Sequence, residues 1–399
     1  MKRRGFSRRR VLLGATGLTC AALMAPIVLA APAGKPGNFK LAPTSPETVT
    51  GDRANSVIAA KLDDEPGTDL AVVNSFTSIA ILSGEGDGDF TEIGTESVGN
   101  APREITAADL DGVNGTDLAV ANGNDGTVTI LLNDGTGDFE EPDTSPESAP
   151  PASGITSDNF GGDQDVDLAV NGQVLLNDGT GDFAAGDSFA SPNSSFVENA
   201  DLDGDGDRDL VLMDFIAETA RISFNDGKGN FTDAVALTGG SVGLNAAGIA
   251  VGRINRGPSP DIAVGLNNPG AVDVFLNDGD GGFSPSPHSP LGESRIFGDV
   301  AITDIDGDRR GDVAAGEVVV DLNDPGCPKF CPTTRAVAVF LSRRNGSFKE
   351  PATSPEAVGA AGNGPPWLAA GKFDRRKSQD IAAATGQGGA LSILLNRSP

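Results

Sequence analysis

Seven copies of one pattern follow one another along the chain: an apolar stretch, an aspartate-rich loop, and an Asp-[Leu/Ile/Val]-[Ala/Val] sequence that opens a second apolar stretch. The aspartates that end the loops, called the marker aspartates below, are Asp69, Asp117, Asp167, Asp209, Asp261, Asp312 and Asp380. A spacing of about fifty residues is typical of proteins in which each repeat is one supersecondary unit. The pattern therefore predicts seven like units, although 399 residues would also allow two or three domains.

The second unit shows what one repeat contains. We predict strands over residues 104–108, 118–122 and 127–132, with the acidic loop between the first two. A glycine-rich turn, Asn133 to Asp138, leads to Phe139 and a fourth, short strand. Four antiparallel strands form the blade of a β-propeller, so the predicted fold class is all-β and the predicted architecture is a seven-bladed β-propeller.

The two ends of the chain complete each other in this scheme. The seventh unit stops at Leu394-Leu395-Asn396-Arg397, where the other units continue into their outer strand. The missing sequence lies near the other end, because Gly37-Asn38-Phe39-Lys40 and Thr44-Ser45-Pro46-Glu47 match Gly346-Ser347-Phe348-Lys349 and Thr353-Ser354-Pro355-Glu356. We therefore predict that residues 37–47 complete the last blade and close the ring by main-chain pairing.

The first thirty residues are expected to be an export signal. Lys2, Arg3, Arg4 and Arg8 to Arg10 precede an apolar run from Val11 to Ala30. Ser7-Arg8-Arg9-Arg10 resembles a twin-arginine signal; an ordinary secretory signal or an uncleaved membrane anchor are the alternatives. The predicted organisation is a signal peptide over residues 1–30 and a single propeller over residues 31–399. The mature protein would be secreted, periplasmic or held at the cell surface, and no later segment is apolar enough to span a membrane.

Charge and cysteine content narrow the possible partners. Asp and Glu outnumber Lys and Arg by 56 to 29, and the formal net charge of −27 disfavours nucleic acid and anionic membranes. We expect a monomer. Cys327 and Cys331 are four apart in a proline-rich loop and are predicted to pair outside the cell, which would shape that loop and contribute only about 2 kcal/mol.

The acidic loops themselves predict a cation. The fullest copy is Asp201-Leu202-Asp203-Gly204-Asp205-Gly206-Asp207-Arg208-Asp209. Carboxylates that lie ~5 Å apart repel by about 3 kcal/mol per pair at an effective dielectric of ~20. Oxygen ligands and a glycine at the tight turn favour Ca²⁺ over zinc, and predicted strands in place of flanking helices exclude an EF-hand.

These motifs resemble the FG-GAP or VCBS-type repeats of integrin alpha-chain propellers and of many exported microbial proteins. The resemblance covers residues 37–399 and rests on Asp-x-Asp-Gly-x-x-x-x-Asp followed by Leu-Ala-Val, with Asn-Asp-Gly-x-Gly-x-Phe further on. It implies that the carboxylates at loop positions one, three, five and nine bind Ca²⁺ at two to three structural sites. The matching residues are Asp201, Asp203, Asp205 and Asp209; Asp304, Asp306, Asp308 and Asp312; and Asp109, Asp111 and Asp117, with Val113 at the fifth position of the last loop.

The remaining loops depart from this pattern. Lys61, Arg253 and Lys372 occupy the first position in units one, five and seven, where a tethered cation could replace the metal. Unit three carries Asn159, Gly161, Asp163 and Asp167 and leaves metal binding open. A solvated acidic surface with ordinary Asx turns is the alternative for all these loops.

Function is expected on the face opposite the acidic loops, where the longer connections lie. Trp367 and Phe196 each precede their marker aspartate by thirteen residues and would either line a binding mouth or belong to the core. The chain has one histidine and no sequence-local triad, so we expect a non-catalytic module that binds an extracellular protein or surface. The alternatives are a carbohydrate-binding, lectin-like propeller and, after it, a polysaccharide lyase or hydrolase, although one Trp and no Tyr are few aromatic residues for sugar stacking.

Overall fold

The computed structural model describes residues 37–113, 115–151, 153–189, 194–214, 219–232, 235–238, 240, 246–267, 270–320, 332–359, 364–387 and 390–398. Throughout these residues the regular secondary structure is β-strand. They belong to one compact unit, residues 31–399. The predicted signal over residues 1–30 lies outside the described residues, as do Cys327 and Cys331, so both predictions stay predictions.

Seven antiparallel sheets follow one another along this unit, one for each marker aspartate, and are called blades 1 to 7. The strands of blades 1 to 3, in sheet order, are Val57–Ala60, Asp69–Val73, Ser78–Gly84 and Phe90–Ser97; Pro102–Ala108, Asp117–Asn122, Thr127–Asn133 and Phe139–Glu140 with Glu147–Ser148; and Ile155–Asp158, Asp167–Val170, Gln173–Asn177 and Phe183–Ser188. Those of blades 4 to 6 are Ser194–Ala200, Asp209–Asp214, Thr219–Ser223 and Val235–Ala236; Ala246–Gly252, Asp261–Leu266, Ala271–Asn277 and Phe283–Pro285; and Ile296–Thr303, Asp312–Val320, Pro332–Ser342 and Phe348–Lys349 with Glu356–Gly359.

Blade 7 joins the two ends of the described chain. Its strands are Trp367–Gly371, Asp380–Ala384, Ala390–Asn396 and Phe39–Leu41, and Glu47–Thr48 also pairs with Ala390–Asn396. Phe39 lies opposite Asn396 and Leu41 opposite Leu394 in this register. The ring closure predicted from the sequence is therefore confirmed. A short ribbon of Arg53–Ala54 and Gly386–Gln387 adds a second link between blades 1 and 7.

The first strands form the inner wall of the ring. Each first strand contacts the first strands of the two neighbouring blades, and the first strand of blade 7 contacts that of blade 1. This closed circuit is the central channel of a propeller, and it confirms the predicted seven-bladed architecture. Because strands alternate direction, the acidic loops and the glycine-rich turns share one face, and the second-to-third hairpins and the connections between blades share the other.

The apolar core lies between neighbouring blades, because the middle strands are buried on both faces. One cluster, for example, combines Val72 and Phe90 of blade 1 with Phe373 and Ile393 of blade 7. The rings of Phe90 and Phe373 meet edge to face at a centroid distance of 5.4 Å. Such aromatic pairs contribute about 0.5–1.5 kcal/mol beyond the burial of their area. Each blade therefore shares its core with its neighbours.

The marker aspartates begin the second strands and fix the acidic loops to them. All seven are completely buried. In every blade Oδ2 accepts the backbone N–H of the second loop residue at 2.6–2.9 Å, and Oδ1 accepts the N–H that ends the third strand, or begins the turn after it, at 2.6–3.0 Å. A hydrogen bond to a charged acceptor contributes about 1.5–3 kcal/mol, so this aspartate recurs for structural reasons even where no metal ligand accompanies it.

An asparagine at the end of the third strand, or just beyond it, joins each of five blades to the preceding blade. These side chains, called the amide latch below, donate Nδ2–H to the carbonyl of the second loop residue one blade back, at 2.7–3.1 Å; they are Asn133, Asn177, Asn225, Asn277 and Asn396. Blades 1 and 6 have Gly84 and Ser342 at this position. The latch is therefore missing at the junctions of blade 7 with blade 1 and of blade 5 with blade 6.

Candidate functional site

The acidic loop of blade 4 brings three carboxylates together. Single oxygens of Asp201, Asp203 and Asp209 all lie within 4.8 Å of one another. The loop bends at Gly204 and Gly206, whose φ angles of 83° and 99° belong to the left-handed region that favours glycine. Asp205, the fourth predicted ligand, is not a member of this group, and its Oδ1 accepts the N–H of Asp207 at 2.9 Å. The hydrogen bond turns Asp205 toward its own loop.

The loop of blade 6 also brings three carboxylates together, but a different three. Oxygens of Asp304, Asp306 and Asp308 lie within 4.8 Å of one another. The predicted ligand Asp312 is not in the group; its Oδ2 accepts the N–H of Ile305 and its Oδ1 that of Ser342, as in the other marker aspartates. Arg310 forms an ion pair with Asp308 and so neutralises one carboxylate of the group.

The loop of blade 2 groups Asp109, Asp111 and Asp117 within the same 4.8 Å limit. Val113, at the fifth loop position, is 51% exposed and offers no side-chain ligand. The next residue, Asn114, lies outside the described residues. This loop therefore provides the same number of grouped carboxylates as blades 4 and 6, with fewer carboxylates around them.

Burial raises the pKa of the marker aspartates in these loops. The pKa rises to about 7 in Asp209 and Asp312 and to about 6 in Asp117. Burial is the largest cause of this rise, the charges of the neighbouring loop carboxylates add to it, and the hydrogen bonds from backbone N–H groups oppose it. The charged form is disfavoured because water is excluded and like charges are close. A divalent cation among these oxygens would remove the repulsion, so the electrostatics of the loops fit Ca²⁺.

Blades 1 and 7 place a cation of the protein beside the loop carboxylates. Lys61 Nζ lies 2.8 Å from Asp63 Oδ1 and 3.4 Å from Asp69 Oδ2, as expected for a tethered replacement of the metal. In blade 7, Lys372 forms no ion pair with the described residues, so the replacement predicted there is wrong. Arg376 and Arg397 approach Asp374 instead, at 3.6 and 3.5 Å.

In blades 3 and 5 the marker aspartates accept hydrogen bonds, and no cationic side chain accompanies them among the described residues. Asp167 accepts the N–H groups of Phe160 and Gly161, and Asn159 caps its own loop through Gly162. In blade 5 Asn255 donates its side-chain amide to Asp261 at 3.0 Å. Arg253 forms no ion pair among the described residues, so the tethered cation expected there is absent from this part of the chain.

The two aromatic residues singled out from the sequence contact each other. The rings of Phe196 in blade 4 and Trp367 in blade 7 have centroids 5.8 Å apart at an interplanar angle of 40°. Blades 4 and 7 are not neighbours, so this contact crosses the central channel. Both residues are partly buried and also pack on the core between blades. The pair therefore packs on the core and narrows the channel on the face opposite the acidic loops, while a role of the two residues in ligand binding stays a prediction.

Three carboxylates that sequence reasoning missed face the same channel. Glu104, Glu198 and Asp299 lie on the first strands of blades 2, 4 and 6. Burial raises the pKa of Glu104 well above its usual range, that of Glu198 to about 8 and that of Asp299 to about 7; the charge of Asp299 adds to both glutamate shifts, and that of Glu198 to the shift of Glu104. Glu104 and Asp299 occupy the same position before their marker aspartates as Phe196 and Trp367, which is the signal that could have revealed them.

The comparisons with known proteins agree with this architecture. The family of the FG-GAP-like repeat matches residues 258–315, from the loop of blade 5 to the second strand of blade 6. No curated protein matches the sequence significantly. No helix among the described residues is long and apolar enough to cross a membrane.

Three similar solved structures share the fold. BBS1N in complex with ARL6DN is 13% identical, with a TM-score of 0.57, over 90% of this chain and 97% of that one. A lectin of Agrocybe aegerita that recognises non-reducing terminal N-acetylglucosamine is 14% identical, with a TM-score of 0.56, over 88% of this chain and 87% of that one. Virginiamycin B lyase from Staphylococcus aureus, in an inactive form with quinupristin, is 12% identical, with a TM-score of 0.55, over 90% of this chain and 99% of that one.

Fold and loops together define a seven-bladed β-propeller whose blades carry acidic loops on one face. Within that class, residues 258–315 match the FG-GAP-like repeat, and the propeller as a whole is consistent with a repeat protein of that kind.

Proposed function

We propose that the protein is an exported, calcium-stabilised and non-catalytic binding module that recognises an extracellular protein or surface. The observation that carries the calcium assignment is the grouping of three aspartates, within 4.8 Å, in each of blades 2, 4 and 6. Ca²⁺ prefers such carboxylate oxygens, with carbonyl groups and water completing six to eight ligands. Loops fixed to buried strands would hold the ions as structural elements of the rim.

Export and binding rest on other features. The arginine-rich, then apolar sequence of residues 1–30 supports export, and an acidic, repeat-built propeller is a common form of extracellular interaction module. The face opposite the metal loops carries the connections between blades, and loops of this kind usually contact partners. The absence of a sequence-local catalytic triad supports a module without catalysis.

The binding part of this proposal is tested with labelled mature protein, loaded with Ca²⁺, on extracellular material from the native host. We expect binding that is lost when the target material is first digested with protease and kept when its glycans are oxidised with periodate. Binding that survives the protease and is lost with periodate would instead favour the second candidate function, carbohydrate binding. No binding to either preparation would overturn both.

That second candidate is a carbohydrate-binding propeller. It is favoured by the Phe196–Trp367 pair together with Glu104 and Asp299 at the equivalent positions of blades 2 and 6, because sugars stack on aromatic rings while carboxylates accept hydrogen bonds from their hydroxyl groups. The similar fold of the Agrocybe aegerita lectin shows that such an architecture can host this function. A glycan array separates the two candidates, and release of unsaturated or reducing ends from polysaccharides would reveal a lyase or hydrolase.

A further inference from the structure

A cavity between the acidic loops of blades 5 and 6 is lined mainly by arginine. Its volume is about 390 Å³, and five of its lining residues are Arg253, Arg256, Arg309, Arg310 and Arg344. The chain as a whole carries 29 basic and 56 acidic residues. This space, called the arginine cavity below, is therefore a basic site on a strongly acidic protein.

Most of the guanidinium groups around the arginine cavity form no ion pair with the described residues. Arg310 forms an ion pair with Asp308 and donates Nη2–H to the carbonyl of Ser342 at 3.3 Å. In the part of the chain that the structure describes, the other four arginines form no ion pair, and all four are exposed. Asp308, the one acidic residue of the lining, is thus neutralised by Arg310, while the remaining positive charge faces the cavity.

The arginine cavity lies at one of the two junctions without the amide latch. The junction of blades 5 and 6 lacks the amide latch, because Ser342 replaces the asparagine found in five other blades. The two loops are joined differently, by a hydrogen bond of 2.5 Å from Gly311 N to the carbonyl of Arg253. This bond fixes the loops relative to each other, so the arginine cavity is preformed.

Arg309 adds a conformational observation. It occupies the sixth loop position with a φ of 68°, where blade 4 has Gly206 with a φ of 99°. A non-glycine residue in the left-handed region carries a strain of about 1–2 kcal/mol. Such strain is usually found where a side chain is needed for something other than local stability.

We propose that the arginine cavity binds a tetrahedral oxyanion, carried as a phosphate or sulfate monoester on a sugar-sized molecule or glycan terminus. Planar guanidinium groups recognise such anions with paired hydrogen bonds, and several arginines around one preformed space suit a doubly charged group better than a single carboxylate. The volume suits a monosaccharide ester. The proposal rests on the binding function proposed above and names the chemical class of one ligand.

Isothermal titration calorimetry of the mature, Ca²⁺-loaded protein tests this site. The probes are glucose 6-phosphate, glucose 6-sulfate and, as the neutral control, glucose. We expect binding of at least one ester, no binding of glucose at this site, and an affinity at least tenfold lower in the double variant Arg256→Gln/Arg344→Gln. The matched variant Arg103→Gln/Arg375→Gln removes the same charge from exposed positions on blades 2 and 7 and should change the affinity less than twofold.

Each outcome has a defined meaning. A preference for one ester identifies phosphate or sulfate as the source of the anion. Absence of binding of both esters at 10 mM, or an equal loss in the matched variant, would overturn the proposal. Thermal stabilisation by Ca²⁺ and binding to host material are measured on the same samples, so failure of the arginine cavity is distinguishable from failure of the binding module.

Discussion

The side-chain amide of Asn277 in blade 5 lies 2.8 Å from the carbonyl oxygen of Leu202 in blade 4, and the N–H of the same Leu202 lies 2.7 Å from Asp209 Oδ2. One loop residue is therefore held by its own blade through its N–H and by the next blade through its carbonyl. The arrangement repeats from blade 5 back to blade 1 and again from blade 7 to blade 6. It makes the rim of the propeller a hydrogen-bonded chain with two interruptions.

Replacing Asn277 with Ser, the residue that blade 6 has at this position, should lower the free energy of unfolding by about 1–3 kcal/mol, since buried acceptors lose their donor. Chemical denaturation measures the change. The exposed Asn124 provides the matched Asn→Ser control, with an expected effect below about 0.5 kcal/mol. Equal effects of the two substitutions would show that the amide latch carries no stability.

Calcium should raise the melting temperature of the mature protein, and excess chelator should reverse the rise. Each site filled at a hundredfold excess over its Kd contributes about 2.7 kcal/mol. Asp203→Ala or Asp306→Ala should reduce the rise, whereas the exposed Asp143→Ala should leave it unchanged. Melting curves that coincide with and without chelator would show that the loops bind no stabilising metal.

The channel carboxylates predict a pH dependence of stability. The pKa of Glu198 is about 8 and that of Asp299 about 7, both raised mainly by burial, while unfolded carboxyl groups titrate near pH 4. Between about pH 4 and pH 8 the folded state therefore holds protons that the unfolded state has lost. The stability that these protonated carboxyl groups contribute is complete below about pH 4 and is lost as the pH rises through about 8. The melting temperature in chelator should fall between pH 5 and pH 8.

The variant Glu198→Gln isolates this effect from the titration of the loops. It should weaken the pH dependence and make the protein more stable at pH 8 by about 1–2 kcal/mol. Glu140→Gln, on the exposed outer strand of blade 2, is the control that should follow the parent protein. A parent-like pH profile for Glu198→Gln would mean that Glu198 is already charged in the folded state.

The strand that closes the ring should be essential for stability. Phe39 is 3% exposed in that strand, and Phe39→Ala should destabilise the protein by about 3–5 kcal/mol. Phe76, which is 50% exposed, provides the matched control and should cost less than about 1 kcal/mol. Limited proteolysis should then cut the Phe39→Ala variant first in blade 7, and a cleavage pattern identical to the parent's would argue against closure by this strand.

The sequence predicted the ring because its evidence is local and repeated. Asp69 and the other marker aspartates each begin a strand, and the match of residues 37–47 to residues 346–356 identified the closing strand. Lys61 could be placed beside Asp63 because the two residues share one short loop. Interactions of this kind depend on spacing within a repeat, which can be read from the sequence.

What the sequence did not reveal are contacts between different blades. In the sequence, the asparagine of the amide latch is visible only as part of a turn, in which Asn133 accepts the N–H of Gly135. Its side-chain amide donates to a residue 71 positions away. The contact of Phe196 with Trp367, and the position of Arg397 beside Asp374, depend on where the ring brings distant elements together. Spacing within one repeat carries no information about these distances.

The closing strand also sets the order in which the molecule can be completed. Ser45 Oγ accepts the N–H of Ile393, a partner 348 positions later in the sequence. During translation the segment around Phe39 leaves the ribosome before the other strands of the propeller and has to wait, unpaired, until the seventh repeat has been made. Chains interrupted in the seventh repeat would therefore present two open sheet edges, which other nascent copies could pair with.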